Sequence, residues 1–233
     1  MICLLRDPQI GSGVYLSVAS GQSNNILTRK NPEVSKIGKY LSLLIQHNVT
    51  TGFLLPPTLQ AFTHDYYIVG KDPTLPIIEQ KKDDIKLNGV AVFKEDRMVM
   101  KVDQDKLFYL KLMSAPVKSG NVELALSEAV ITLDHRKVNN LNVVIAPFNL
   151  YEGLKASVLD MSEQLSLTEP AVSNRLSLII EQKIENEMMV LIQRLQEETV
   201  DPIGFGSKYR AFVRGKTFLM RYGEINILRQ ALR

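Results

Sequence analysis

Residues able to do chemistry occur in this 233-residue chain, but they are not spaced for it. The three histidines, His47, His64 and His135, are scattered: no two stand at metal-ligand spacing and no His-Glu-x-x-His pattern occurs, the arrangements that would point to zinc. Cys3 is the sole cysteine, which excludes an internal disulfide and any multi-cysteine metal site and leaves the redox compartment unreadable. His64 precedes Asp65, but a serine hydrolase also needs a nucleophile on a tight turn, and there is no Gly-x-Ser-x-Gly elbow. The pair reads as a polar helix face. Gly11-Ser12-Gly13 lacks the third glycine, the following helix and the Lys-Ser/Thr of a phosphate loop, so these are turn glycines. Asp103-Gln104-Asp105 lacks the further oxygen ligands and turn glycine of a calcium loop and reads as a solvated helix start. Asn48-Val49-Thr50 fits the glycosylation pattern, which is too short to carry an assignment. No cofactor and no enzymatic activity is expected.

Composition narrows the remaining classes. With 45% hydrophobic residues the chain can bury a good core in one or two domains. Its 28 Lys and Arg against 25 Asp and Glu give a net charge of only +3, with both signs interleaved, so no nucleic-acid partner is expected. No apolar run approaches the roughly 20 residues that span a bilayer, and "MICLLRD" is too short for a signal peptide. As written, the chain is expected to be neither secreted nor membrane-spanning.

The elements that must position any site follow from periodicity. "MICLLRD" and "GVYLSVASG" read as strands, short apolar runs closed by Asp7-Pro8 and Gly21. After Asn31-Pro32, residues Val34, Ile37, Tyr40, Leu41, Leu44 and Ile45 recur at helical spacing as far as Asn48 to Gly52. A shorter helix covers Thr58 to Tyr66. "LNGVAVFKEDRMVMKV", residues 87 to 102, reads as a hairpin that reverses at Glu95-Asp96, with Ala91 and Lys94 at the off-phase positions of an imperfect alternation. Asp103 is placed to cap a short helix carrying Leu107, Tyr109, Leu110 and Leu112. Three or four antiparallel strands follow, with turns near His135-Arg136 and around Phe148 to Gly153.

A long helix over about 169–199 opens at Thr168-Glu169-Pro170 and carries the stripe Val172, Leu176, Ile180, Ile184, Met188, Leu191 and Leu195. It should lie across a sheet. In "DPIGFG" the glycines around Phe205 predict a bend with glycine as the left-handed stop and the aromatic packed where the helix ends, or else offered to a partner. The expected fold class is α+β, with mixed or antiparallel sheets and the long helix packed across the C-terminal one. The expected divisions are 1–82, a hairpin-helix unit at 83–115, and 116–233.

Four segments, in order, resemble the Ger(x)C family of spore germination proteins, the C subunits (GerAC and GerBC types) of nutrient germinant receptors. Arg6-Asp7-Pro8 is similar to an Arg-Asp-Pro segment of that family's first domain, and "GKDPTLPII", with Asp72, Pro73 and Pro76, to the stretch that closes it. Gly89, Ala91, Val92, Phe93, Lys94 and Asp96 resemble the family's Gly-x-Ala-Val-Phe-Lys-x-Asp hairpin, and Asp201, Gly204, Phe205 and Gly206 its Asp-x-x-Gly-Phe-Gly signature. The resemblance implies that these positions are structural. It implies a non-enzymatic lipoprotein subunit on the outer face of the spore inner membrane, acting by contacts with the receptor's A and B subunits. It also implies an anchoring lipid on an N-terminal cysteine of full-length relatives, which Cys3, with no apolar signal segment ahead of it, does not match. On that footing the chain is expected to be truncated at both ends, and a homodimer through an exposed sheet edge is expected. The alternative is a soluble ligand-binding or assembly module unrelated to germination, which predicts a closed apolar pocket with a few convergent polar groups.

Overall fold

The computed structural model describes residues 11, 13–28, 36–81, 84–115, 122–126, 131–133, 136–138, 141–149, 155–162 and 168–212. The strand expected in "MICLLRD", the Asn31-Pro32 helix entry and the boundary near residue 82 lie outside these residues.

A mixed four-stranded sheet in the order β1-β2-β3-β4 is built from β1 (Val18–Ser20), β2 (Thr74–Lys81), β3 (Asp84–Lys94) and β4 (Arg97–Val102). β1 runs parallel to β2 and the other neighbours are antiparallel. The β1–β2 crossover carries α1 (Ser23–Leu27), α2 (Ile37–Thr50) and α3 (Leu59–Tyr67). Periodicity located α2 and α3; α1, a five-residue helix, is too short to show a period. Thr58 caps α3 by accepting the Ala61 N–H at 3.1 Å. The stripe of α2 packs as predicted, with Ile45 buried beside Ile26, Ile78 and Ile85, and Ile37, Tyr40, Leu41 and Leu44 around them.

The hairpin reverses at Glu95-Asp96, where Glu95 takes φ 55°. Its imperfect alternation has a physical cause: β3 is covered on both faces. Val90 and Val92 belong to the main core, while Phe93, on the opposite face, meets the Phe62 ring of α3 edge-on at 5.7 Å. Ala91 shares the Phe93 face and is fully buried. A strand covered on both sides loses its polar phase. β3 gains one residue against β2 between Leu87 and Val90. Gly89 sits in this bulge at φ 89°, where a Cβ would fall 2.2 Å from the Val102 carbonyl oxygen, so only glycine fits.

A one-turn 3-10 segment, Gln104–Lys106, leads into α4 (Leu107–Ser114). Asp103 is the residue before it, but its side chain makes no capping bond. The expected cap is corrected: the Asp103 carboxylate lies 3.2 Å from Lys101 and 3.8 Å from Arg194, and these cations draw it away from the backbone.

Among the described residues five strands follow, where three or four are expected. β5 (Val122–Leu126), β8 (Leu141–Asn149) and β9 (Lys155–Met161) form an antiparallel sheet in the order β5-β8-β9, and β6 (Ile131–Leu133) pairs with β7 (Arg136–Val138) in a separate ribbon. α5 (Pro170–Glu197), about 42 Å long at 1.5 Å per residue, closes this end, followed by α6 (Phe205–Phe212). The predicted stripe is the buried one. Val172, Leu176, Ile184, Leu191 and Leu195 join Leu124, Leu126, Leu141, Val143 and Ile145 of the sheet in one core with α4, β3 and β4, with Ile180 and Met188 at its margin. The α+β class and the long helix across the C-terminal sheet are as the sequence predicts.

Two edge strands are bulged. β4 gains Val99 against β3 and β9 gains Leu159 against β8, and both residues are exposed.

Candidate functional site: a junction of three distant segments

The end of α5 shows how the site forms. The helix stops in a left-handed residue, as expected, but that residue is Thr199 at φ 56°, and the expected glycine stop is corrected. The Val200 N–H reaches back to the Leu195 carbonyl at 3.0 Å and the Thr199 N–H to that of Gln196 at 3.1 Å, the paired bonds of a Schellman stop. Val200 and Leu195 are both buried there. A β-branched residue is costly in this conformation, and a contact from far away in sequence offsets that cost. Lys94 Nζ, at the end of β3, donates to the Thr199 carbonyl at 2.8 Å and to its Oγ1 at 2.9 Å.

The next turn is organised by one carboxylate. Asp201 Oδ1 accepts the N–H groups of Gly204 at 2.8 Å and Phe205 at 3.1 Å, and Oδ2 accepts that of Gly206 at 2.7 Å. These donors begin α6, whose first N–H groups have no partner within the helix. Gly204 takes φ 79°. Phe205 packs against the main core, with the Lys208 ammonium 5.8 Å from its ring centre.

Onto this turn docks the segment Gly70 to Pro73. The Asp72 N–H donates to the Asp201 carbonyl at 2.9 Å, and Asp72 Oδ2 accepts the Asp201 N–H at 2.6 Å, a reciprocal pair. The Ser207 N–H donates to the Gly70 carbonyl at 2.9 Å. At Gly70 a Cβ would lie 2.6 Å from the backbone of Gly206 and Ser207, so the two segments approach to a distance only glycine permits. The Phe93 N–H donates to the Pro73 carbonyl at 2.9 Å and ties in the third segment.

Burial, acting first, raises both carboxyls above the usual Asp value. The donated backbone bonds oppose it at each, and the Lys94 charge opposes it at Asp72. Acid–base chemistry needs a carboxylate facing a substrate, whereas Asp201 faces its own backbone. Among the described residues no group of three or more His, Cys, Asp or Glu side chains is placed to hold a metal ion. His64 Nδ1 lies 3.0 Å from Asp65, whose other oxygen is 2.8 Å from Lys71.

Of the residues singled out in the sequence, Asp72, Pro73, Phe93, Lys94, Asp201, Gly204, Phe205 and Gly206 meet here. Pro76 is fully buried in β2 and Gly89 and Ala91 lie inside the sheet. Asp96 is exposed at the hairpin tip, 4.0 Å from Arg97 and outside the junction. Arg6, Asp7 and Pro8 lie outside the described residues. The sequence reading did not single out Thr199 or Lys111. The latter is the sole charged residue of "LFYLKLMS" in α4 and lines a cleft of about 30 Å³ with Phe53, Leu54, Thr74, Leu107 and Leu110. That interruption of an apolar run was the available signal.

A second polar tie holds the middle of α5. Glu187 takes Lys106 at 2.6 Å on one oxygen and Lys183 at 2.9 Å on the other. Burial alone would raise the Glu187 carboxyl, but the two ammonium groups bring it below its usual value. Burial, with the Glu187 charge adding to it, pushes the nearby Tyr109 phenol up to about 12.

Residues 88–217 match the family described as spore germination B3/GerAC like, C-terminal, and residues 3–80 match the spore germination protein N-terminal domain. Spore germination protein GerQC of Bacillus cereus is 28% identical over 219 residues, covering 91% of this chain and 61% of that protein. A putative spore germination protein, YfkR, of Bacillus subtilis (strain 168) is 23% identical over 226 residues, 87% of this chain and 56% of that protein. The chain thus spans about three fifths of the length of the curated relatives it matches. The crystal structure of the GerBC protein superposes with a TM-score of 0.61 at 15% identity, over 90% of this chain and 62% of that one, a likeness of fold.

Proposed function

The chain belongs to the GerAC-like spore germination family, and from that premise we propose that it serves as a non-enzymatic subunit of a spore nutrient germinant receptor. It acts through protein contacts with the receptor's A and B subunits at the outer face of the spore inner membrane, where full-length relatives hold a lipid anchor. The observation that carries the non-enzymatic part is the junction. Side chains of the family-like segments that could do chemistry, Asp72, Lys94 and Asp201, are spent on holding backbone. The division into 1–82, 83–115 and 116–233 belongs to the same proposal, with the junction joining all three parts.

Two features bear on how partners are met. A homodimer through the β4 or β9 edge would have to form across the Val99 or Leu159 bulge, and a bulge disrupts the ladder that an incoming strand needs. The β1 and β5 edges carry no register shift in their described pairings, so edge pairing of a second copy is assigned to them and not to the bulged edges.

The test is to express the tagged chain in sporulating cells, recover it from spore membranes and identify the proteins that co-purify. Recovery of the A and B subunits is expected. A folded chain that recovers neither would overturn receptor membership.

A further inference from the structure

α4 is apolar nearly all round. Leu107, Phe108, Tyr109 and Leu110 are buried, and Lys111 follows them, half-buried. Lys111 has no hydrogen-bond or ion-pair partner for its ammonium among the described residues, although other lysines around the core are paired, as Lys106 is with Glu187. The segment after α4, residues 115 to 121, contains no Asp or Glu. An ammonium held against hydrocarbon without a counter-charge is costly, and burial alone pushes Lys111 below the ordinary lysine value.

The cleft beside it is open on one side, is lined by Phe53, Leu54, Leu107 and Leu110 with Thr74 and Ser114 as polar neighbours, and has a volume of about 30 Å³. A water needs roughly 10 to 15 Å³ by this measure, so the space fits a carboxylate group with a short apolar tail leading out along the walls. An amino acid would bring an ammonium as well, and the cleft lining holds no carboxylate to receive it.

We propose that the Lys111 cleft is a binding site for small monocarboxylates of about two to four carbons, the carboxylate pairing with Lys111 and the alkyl tail lying on Phe53 and the α4 leucines. The site lies on α4 and not at the junction, and it does not depend on the receptor reading.

The test uses the full chain, with butyrate as probe and butanol and 4-aminobutyrate as controls. Thermal unfolding and amide NMR shifts are followed in the wild type and in Lys111→Met, which keeps the length of the side chain without its charge. Butyrate is expected to raise Tm saturably in the wild type and to move amide signals near Thr74 and Lys111. Butanol and 4-aminobutyrate should do neither. In Lys111→Met, with Tm and spectrum showing an intact fold, butyrate binding should weaken by at least about tenfold, the loss of one charge-assisted hydrogen bond. No saturable response in the wild type, an equal response in Lys111→Met, or an equal response to butanol would each overturn the proposal.

Discussion

Two of the polar ties between the α5 region and earlier parts of the chain are built from different materials. At its middle, Glu187 is held by the Lys106 and Lys183 ammonium groups at 2.6 and 2.9 Å. Beyond its C-terminal end, Asp201 gathers three backbone N–H groups and exchanges two hydrogen bonds with Asp72. The first tie is Coulombic and partly open to solvent, so salt screens it and the mutual ordering of long side chains offsets much of its gain. The second consists of charge-assisted bonds to rigid backbone, which salt leaves nearly unchanged. Charge alone therefore does not decide which contact matters. What matters is the number of backbone groups stranded when it is lost.

The difference can be broken at several points. Asp201→Ala strands the N–H groups of Gly204, Phe205 and Gly206 and should cost about 3 kcal/mol, or prevent folding, when measured by urea denaturation. Gly70→Ala adds a Cβ where backbone stands 2.6 Å away at a φ of 85° and should cost about 2 kcal/mol. Lys94→Met frees Thr199 from its clamp and should cost about 1 kcal/mol, with faster amide exchange at Val200 as the local readout. Glu187→Gln should cost less, about 0.5 kcal/mol at low salt, and the effect should shrink at 1 M salt. If Glu187→Gln cost more than Asp201→Ala, the ranking of the two ties would be reversed.

Their pH dependences should differ in sign. Asp201 binds its proton more tightly folded than unfolded, so its contribution is fully present below the unfolded value of 3.8 and is lost as pH rises through the raised folded value. Glu187 binds its proton less tightly folded, so its contribution is present above 4.5 and is lost as pH falls through the depressed folded value. The stability difference between wild type and Glu187→Gln should therefore shrink in acid, while that between wild type and Asp201→Asn should grow.

Much of the frame was legible because it is local. The α5 stripe runs at helical spacing, and Glu95-Asp96 marks the hairpin turn. The junction was legible only as separate motif positions, because Asp72 and Asp201 stand 129 residues apart and each looks like an ordinary loop aspartate. Thr199 gives no sign of a left-handed stop, since threonine disfavours that conformation and the residue that offsets it, Lys94, lies 105 positions earlier. The sequence drew attention to Phe205 between its glycines, whereas the Asp201 carboxylate organises the turn. Asp103 misled for the complementary reason: it is a good capping residue whose carboxylate is taken by Lys101 and Arg194.

The span of the junction also bears on time. Joining Asp72 to Asp201 closes a loop of about 130 residues, and such closures follow local structure because their entropic cost comes before their reward. The helices and hairpins can assemble before this latch engages, and it must release before they come apart. Contacts absent from the folding transition state act on the rate of unfolding. Asp72→Asn should thus leave the refolding rate nearly unchanged while accelerating unfolding, which stopped-flow denaturant jumps would read directly. By this account the latch governs how long the folded protein lasts rather than how fast it forms.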